Sequence, residues 1–289
     1  MEHEIDGTSL LTLETDQATE TFTRECLGKA AAVRLFSARC QEAQAQGLPG
    51  QDYARIVSKH EGASVCFCVC DGVGSSYKGD FAARYLAVRL VDWLQTLAAV
   101  PKRPGKISRV VQSLLDCWAP QAQRELAHLS LPLETPELVR EVLEDLRDTY
   151  GSETVFFCGR IDRLRKSSQA GPAHCIRALF CWMGNISACL VSGPGLQSTL
   201  GDQSNDRNRW STARGCRGKV SSRVCVLDTL DSLLIHTDGL DSIAEELIHF
   251  DDAELQLRIQ QLLRLPANDD MTLLEVRWLD SISEKGDGL

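Results

Sequence analysis

Ser64-Val65-Cys66-Phe67-Cys68-Val69-Cys70-Asp71-Gly72-Val73-Gly74-Ser75-Ser76 is the stretch on which the fold turns. Its first seven residues form an apolar run in which three cysteines alternate, so Cys66, Cys68 and Cys70 share one face of a β-strand. The run stops at Asp71-Gly72, and a glycine-rich turn leads into a helix from about Gly79 to Leu97. Phe81, Tyr85, Leu86, Val88, Leu90 and Leu94 recur at helical spacing and form its apolar side. A strand, a polar turn and a long helix are thereby placed in succession.

Working outward, Ala32 to Cys40 alternates as a strand, the Gln/Ala/Gly-rich stretch to Gly50 is a loop, and Asp52 to Ser58 is another strand. The residues before it, to about Glu25, are polar and poorly periodic, so 1–30 reads as an N-terminal extension. Past the break at Pro101 to Gly105, helices are expected from about Ile107 to His128 and from about Pro136 to Tyr150. Strands return at Thr154 to Ile161, Ile176 to Met183 and Ile186 to Ser192, the last two joined at Gly184-Asn185 in the manner of a tight hairpin. An Arg-rich polar loop, Gly201 to Lys219, precedes strands near Val224 and Leu233. Helices from about Asp241 and from Asp251 to Leu265, then a strand from Met271 to Trp278, close a domain spanning 31–280. Residues 281–289 read as a disordered tail. Two blocks of strands enclosing consecutive helices argue for packed sheets with helices outside, not for alternating parallel βα units.

The chain has 289 residues, 43% hydrophobic and 25% charged, which is ordinary globular composition. Its formal net charge of −9 disfavours nucleic acid as a partner, because phosphate-backbone binding leans on clustered Lys and Arg. No stretch approaches the ~20 apolar residues of a membrane helix, and the start is acidic where a signal peptide would be basic. A cytoplasmic monomer without membrane attachment is the expectation. Twelve cysteines include no C-x-x-C pair, which points to small buried residues with reduced thiols and away from a disulfide or zinc framework.

Four aspartates share one local setting. Asp71 ends the strand Ser64 to Cys70, and Asp238 follows Leu233-Leu234-Ile235-His236-Thr237 and precedes Gly239. Asp269 stands before Asp270-Met271 at the start of the last strand, and Asp52 follows Gly50-Gln51. A carboxylate at a strand end is held by rigid backbone while its oxygens project into loop space, which suits a hard cation such as Mg²⁺ or Mn²⁺. Gly72 can offer a carbonyl oxygen beside them. An Asp-Gly pair is also a plain turn signal, so each instance alone is weak. His236 reads as a strand residue, Trp93, Trp118 and Trp182 as core anchors, and Pro194-Gly195 as a loop connection.

Val69-Cys70-Asp71-Gly72-Val73-Gly74, Ile235-His236-Thr237-Asp238-Gly239-Leu240 and Asn268-Asp269-Asp270-Met271-Thr272 resemble, in that order, three signature motifs of the metal-dependent protein phosphatase family of the protein phosphatase 2C type, in its bacterial-like form. Gln51-Asp52 falls where that family places its first acidic ligand. Tyr150-Gly151-Ser152-Glu153-Thr154 and Met183-Gly184-Asn185-Ile186-Ser187 look like two intervening strand motifs. The resemblance covers roughly Val33 to Trp278.

What it implies is an α+β fold, a β-sandwich of two antiparallel sheets flanked by helices, with two Mg²⁺ or Mn²⁺ ions in a cleft at one end. Asp71 would bridge both ions, Asp52 and the Gly72 carbonyl would complete one site, and Asp238 with Asp269 would hold the other. The implied activity is hydrolysis of phosphoserine and phosphothreonine on proteins by water that the two ions activate, opposing a Ser/Thr kinase.

Three positions depart from the family pattern. Gly47 stands where many members carry a phosphate-gripping arginine, so Arg55, Lys78 or an arginine of the 201–219 loop would have to supply that contact. Asn185 replaces an aspartate of a third, weaker metal site, and Asp241 or Ser242 occupies the other expected acidic position, so a third ion is not expected. Val73 replaces the histidine usual in eukaryotic members. Neither His60 nor His236 falls where the family's general acid is expected. The rival reading is a pseudophosphatase, a regulatory binding domain that keeps the fold without turnover.

Overall fold

The computed structural model describes residues 10–278 except 29–30, 60–61, 104, 132–134, 166–173, 193–196, 202–206, 228 and 266–267. In chain order the first elements are β1 (Leu11–Glu14), β2 (Thr21–Leu27), β3 (Ala31–Ala38), α1 (Gln41–Gln46), β4 (Tyr53–Lys59) and β5 (Ser64–Gly72). Three helices follow: α2 (Gly79–Thr96), α3 (Ile107–Ala127) and α4 (Glu137–Thr149). Then come β6 (Glu153–Arg165), β7 (His174–Met183), β8 (Ser187–Val191), β9 (Gln197–Leu200), β10 (Arg209–Ser211), β11 (Gly215–Arg217), β12 (Ser221–Leu227) and β13 (Ser232–His236). A 3-10 segment at Asp238–Ile243, α5 (Asp252–Leu262) and β14 (Met271–Trp278) complete the described chain.

Two antiparallel sheets face each other, as expected. One runs β1-β4-β5-β6, with β7 and β12 continuing beyond β6 at one end and β10 and β11 at the other. The second runs β2-β3-β14-β13-β8-β9. Period-two alternation sends Val33, Leu35, Phe67, Val69, Phe157, Phe180, Leu233, Ile235, Leu274 and Val276 into the layer between the sheets. The opposite face of the first sheet carries Cys66, Cys68, Cys70, Phe156, Cys158 and Cys181, packed beneath Leu86, Leu90 and Leu94 of α2 and Val111 and Leu115 of α3. The opposite face of the second sheet packs Phe36, Leu234 and Leu273 against Leu255 and Ile259 of α5. The result is four layers, helix-sheet-sheet-helix.

Several local expectations change. Part of the segment read as an extension supplies two edge strands, β1 on β4 and β2 on β3. Their outward polar side chains erased the apolar signal, as is usual at sheet edges. Met183 and Ser187 flank Gly184-Asn185 as a hairpin would, but β7 pairs with β6 and β12 while β8 pairs with β13 and β9. The turn, with Gly184 at φ +91°, therefore carries the chain from one sheet to the other. The Arg-rich loop contains the short hairpin β10-β11. The helix expected from Asp241 is the 3-10 segment. Trp93, Trp118 and Trp182 are only partly buried against the cores, whereas Trp210 is fully buried. His60, Pro194-Gly195 and the tail 281–289 lie outside the described residues.

The alternating cysteines behave as small core residues. Cys68 lies opposite Cys158, and Cys158 opposite Cys181, on three adjacent strands facing the helices. Burial pushes the Cys66 thiol up to about 12. Cys26 and Cys117 are exposed. Ellman's reagent should therefore label Cys26 and Cys117 within minutes in the folded protein, with Cys66, Cys68, Cys70, Cys158 and Cys181 labelled only in denaturant, as peptide mass spectrometry would resolve.

Candidate metal centre

The strand ends β5 and β13 and the start of β14 meet at one edge of the sandwich. There, a cleft of about 730 Å³ is lined by Asp71, Gly72, Asn185, Arg209, Asp238, Asp269 and Asp270, with residues of α1 on its rim. Two glycines permit this convergence. A Cβ on Gly72 would lie 2.5 Å from the backbone of Gly79, and one on Gly239 would lie 2.1 Å from the Asp270 carbonyl. Any side chain there would prise a strand end away from the site.

Asp71, Asp238 and Asp269 thus reach a common space. Asp52 is placed differently: it is buried behind the cleft wall and accepts a 2.7 Å hydrogen bond from the Thr237 hydroxyl. Thr237 in turn accepts the backbone N–H of Thr272 at 2.9 Å, so Asp52 is tied to both β13 and β14. Burial, then the charge of Asp71, then that of Asp270, hold the Asp52 carboxyl well above the usual range. Burial and the charges of Asp238, Asp269 and Asp270 do the same to Asp71. Asp238 is raised by burial, then by Asp269 and Asp241, and Asp269 by burial and then Asp270.

The described chain thus concentrates mutually repelling carboxylates in one partly desolvated place, and all-oxygen donors of this kind fit a hard divalent cation. Among the described residues no three acidic, cysteine or histidine side chains close into a ready-made cage.

Two polar contacts shape the site without having been anticipated. Asp270 accepts backbone N–H groups from Cys40 at 2.6 Å and Gln51 at 2.5 Å, pinning the α1 loop and the approach to Asp52 onto β14. The Asp269-Asp270 doublet was the available signal. Asn185 donates its amide to Asp238 at 2.9 Å, holding that carboxylate's orientation.

The phosphate-binding candidates separate cleanly. Arg55 pairs with Glu14 at 2.9 Å across β1 and β4 and does not line the cleft. Lys78 precedes α2 with a left-handed backbone at φ +50° and does not line it either. Arg209, inside the segment read as a loop, does. His236 is buried beside Asp241, its Nδ1 3.5 Å from that carboxylate; it does not line the cleft, and burial keeps its pKa low.

The sequence profile described as protein phosphatase 2C matches residues 39–273. The chain belongs to this family. Protein phosphatase 2C structures share its fold at low identity. The Staphylococcus aureus serine/threonine phosphatase Stp1 aligns with TM-score 0.55 at 12% identity, covering 89% of this chain and 98% of its own. RsbX, solved in complex with magnesium, gives TM-score 0.52 at 12% identity, with 90% and 100% covered. A Toxoplasma gondii serine-threonine phosphatase 2C gives 0.50 at 13%, with 93% and 99% covered. No curated protein sequence matches the chain significantly. The profile begins after β1, β2 and β3, so these three strands lie outside the matched span.

Proposed function

We propose that this protein phosphatase 2C domain hydrolyses phosphoserine and phosphothreonine on a protein substrate, opposing a Ser/Thr kinase, with two Mg²⁺ or Mn²⁺ ions. The observation that carries the reading is the convergence of Asp71, Asp238 and Asp269 on one cleft, backed by buried Asp52, with burial first and neighbouring carboxylates next holding all four above the usual carboxylate range. Asp71 would be shared by both ions, Asp52 and the Gly72 carbonyl would serve one, and Asp238 with Asp269 the other. Bound there, such ions would supply Lewis acidity and would lower the pKa of attacking water.

The chain's own groups do the positioning. Asn185 keeps Asp238 oriented, Asp270 locks the α1 loop in place, and Thr237 fixes Asp52. No histidine lines the cleft among the described residues. Among the described residues no helix is long and apolar enough to cross a membrane.

Asn185 favours one second reading. An amide where the family pattern has a carboxylate leaves a less acidic cleft, in keeping with a binding domain that does not turn over. Release of nitrophenol from p-nitrophenyl phosphate, and of phosphate from a phosphothreonine peptide, should require millimolar Mn²⁺ or Mg²⁺ and stop with EDTA. Ion binding by calorimetry without any release would leave the pseudophosphatase.

A further inference from the structure

We propose that Arg209 is the side chain that grips the substrate phosphate; the assignment rests on the phosphatase reading above. Its position follows from how β6 is paired. Beyond Phe156 the outer edge of β6 carries β7, but β7 leaves for the second sheet at Gly184, and the first residues of β6 are covered instead by β10. Trp210 lies opposite Thr154 and Ser211 opposite Glu153, one strand away from the Asp71–Val155 and Gly72–Thr154 pairs.

Trp210 fixes the face of this short strand. Its indole is fully buried among the helices, donates Nε1 to the Leu115 carbonyl at 2.9 Å, and stacks on Tyr85 at 5.9 Å. Adjacent residues of a strand point to opposite faces, so anchoring Trp210 under α2 and α3 turns Arg209 toward the cleft.

Arg209 is the sole cationic side chain among the described residues lining that cleft, where it joins Asp71, Asn185 and Asp238. Its guanidinium is also held from behind. Glu153, buried at the start of β6, accepts from Arg209 at 3.3 Å through one carboxylate oxygen and from Arg217 at 2.8 Å through the other. A guanidinium has five N–H donors in a rigid fork, and two of them match two oxygens of a phosphate. A phosphomonoester brought to the acidic end of the cleft therefore meets one pre-positioned fork. Arg55 and Lys78 do not reach this space.

The experiment compares wild type with Arg209→Ala, Arg209→Lys and, as a distant control, Arg55→Ala, each checked for folding by circular dichroism. With Mn²⁺ present, KM for p-nitrophenyl phosphate and the dissociation constant for inorganic phosphate from calorimetry are measured. Arg209→Ala should raise both constants about 10–100-fold, the loss of a charge-assisted bidentate contact. Arg209→Lys should fall between, because a point charge replaces the fork, and Arg55→Ala should stay within twofold. If both Arg209 variants fold and bind phosphate within twofold of wild type, the inference is overturned while hydrolysis by wild type keeps the phosphatase reading intact. If wild type binds phosphate without hydrolysing the ester, the phosphatase reading falls, and the binding constants alone decide on Arg209. Failure of wild type both to bind phosphate and to hydrolyse the ester overturns both.

Discussion

Asp71→Asn is expected to cost about three orders of magnitude in Mn²⁺-dependent phosphatase turnover, about 4 kcal/mol of transition-state stabilisation, while making the metal-free protein more heat-stable. The two effects share one cause. Asp71 lines the cleft with Asp238, Asp269 and Asp270, and burial together with their charges holds its carboxyl well above the usual range. At neutral pH its ionised form is costly in the absence of a counter-charge. Asparagine keeps the shape and removes the charge, relieving on the order of 1–2 kcal/mol of repulsion, or roughly 2–8 °C in Tm for a chain of this size. The same change removes the carboxylate proposed to be shared by both ions. Gain of stability with loss of activity is the usual mark of a strained functional site. Wild-type turnover in the Asn variant would refute the ligand role, and a lower metal-free Tm would refute the repulsion account.

The second large effect is the response of stability to divalent cation. An ion that binds only the folded state stabilises by RT ln(1 + [L]/Kd), about 2.7 kcal/mol at one hundred times Kd, which is roughly 5–11 °C here. Mn²⁺ should therefore raise Tm in differential scanning fluorimetry, EDTA should reverse it, and Asp71→Asn should lose most of it. The pH dependence has a definite sign. Because the folded pKa values of Asp52, Asp71, Asp238 and Asp269 are raised, the metal-free native state holds more protons than the unfolded chain above pH ~4, and its stability falls as pH rises through that window. Mn²⁺ must displace those protons, so its stabilising shift should grow with pH. His236 acts oppositely: its lowered pKa makes the fold lose stability as pH drops below ~6.5. A Tm shift of equal size with K⁺, or one unchanged in Asp71→Asn, would argue against a specific site.

The parts of the fold that were readable in the sequence are those where a long periodic segment meets strong punctuation. The run into Asp71-Gly72, the helix after it and the last strand from Met271 all lie where expected. Arg209 and Trp210 were hidden because a three-residue strand has no period to read, and its place is set by where Trp210 packs. Gly184-Asn185 misled because a tight turn between apolar runs has the same local chemistry whether the second run pairs with the first or crosses to another sheet. Asp52 was suggested by family pattern, and in the structure it is buried against Thr237 and does not line the cleft as its companions do.

The pairing of β3 with β14 has a consequence for synthesis. Ala38 faces Met271, and β14 is an interior strand flanked by β3 and β13. On the ribosome β3 must wait for roughly 230 further residues before that neighbour exists, on the order of 10–50 s at ordinary translation speeds. Throughout that interval Val33 and Leu35, fully buried in the finished protein, lack the strand that pairs beside them. Nascent chains of this domain thus carry a divided second sheet, β2-β3 apart from β13-β8-β9, until β14 has emerged to join the two parts.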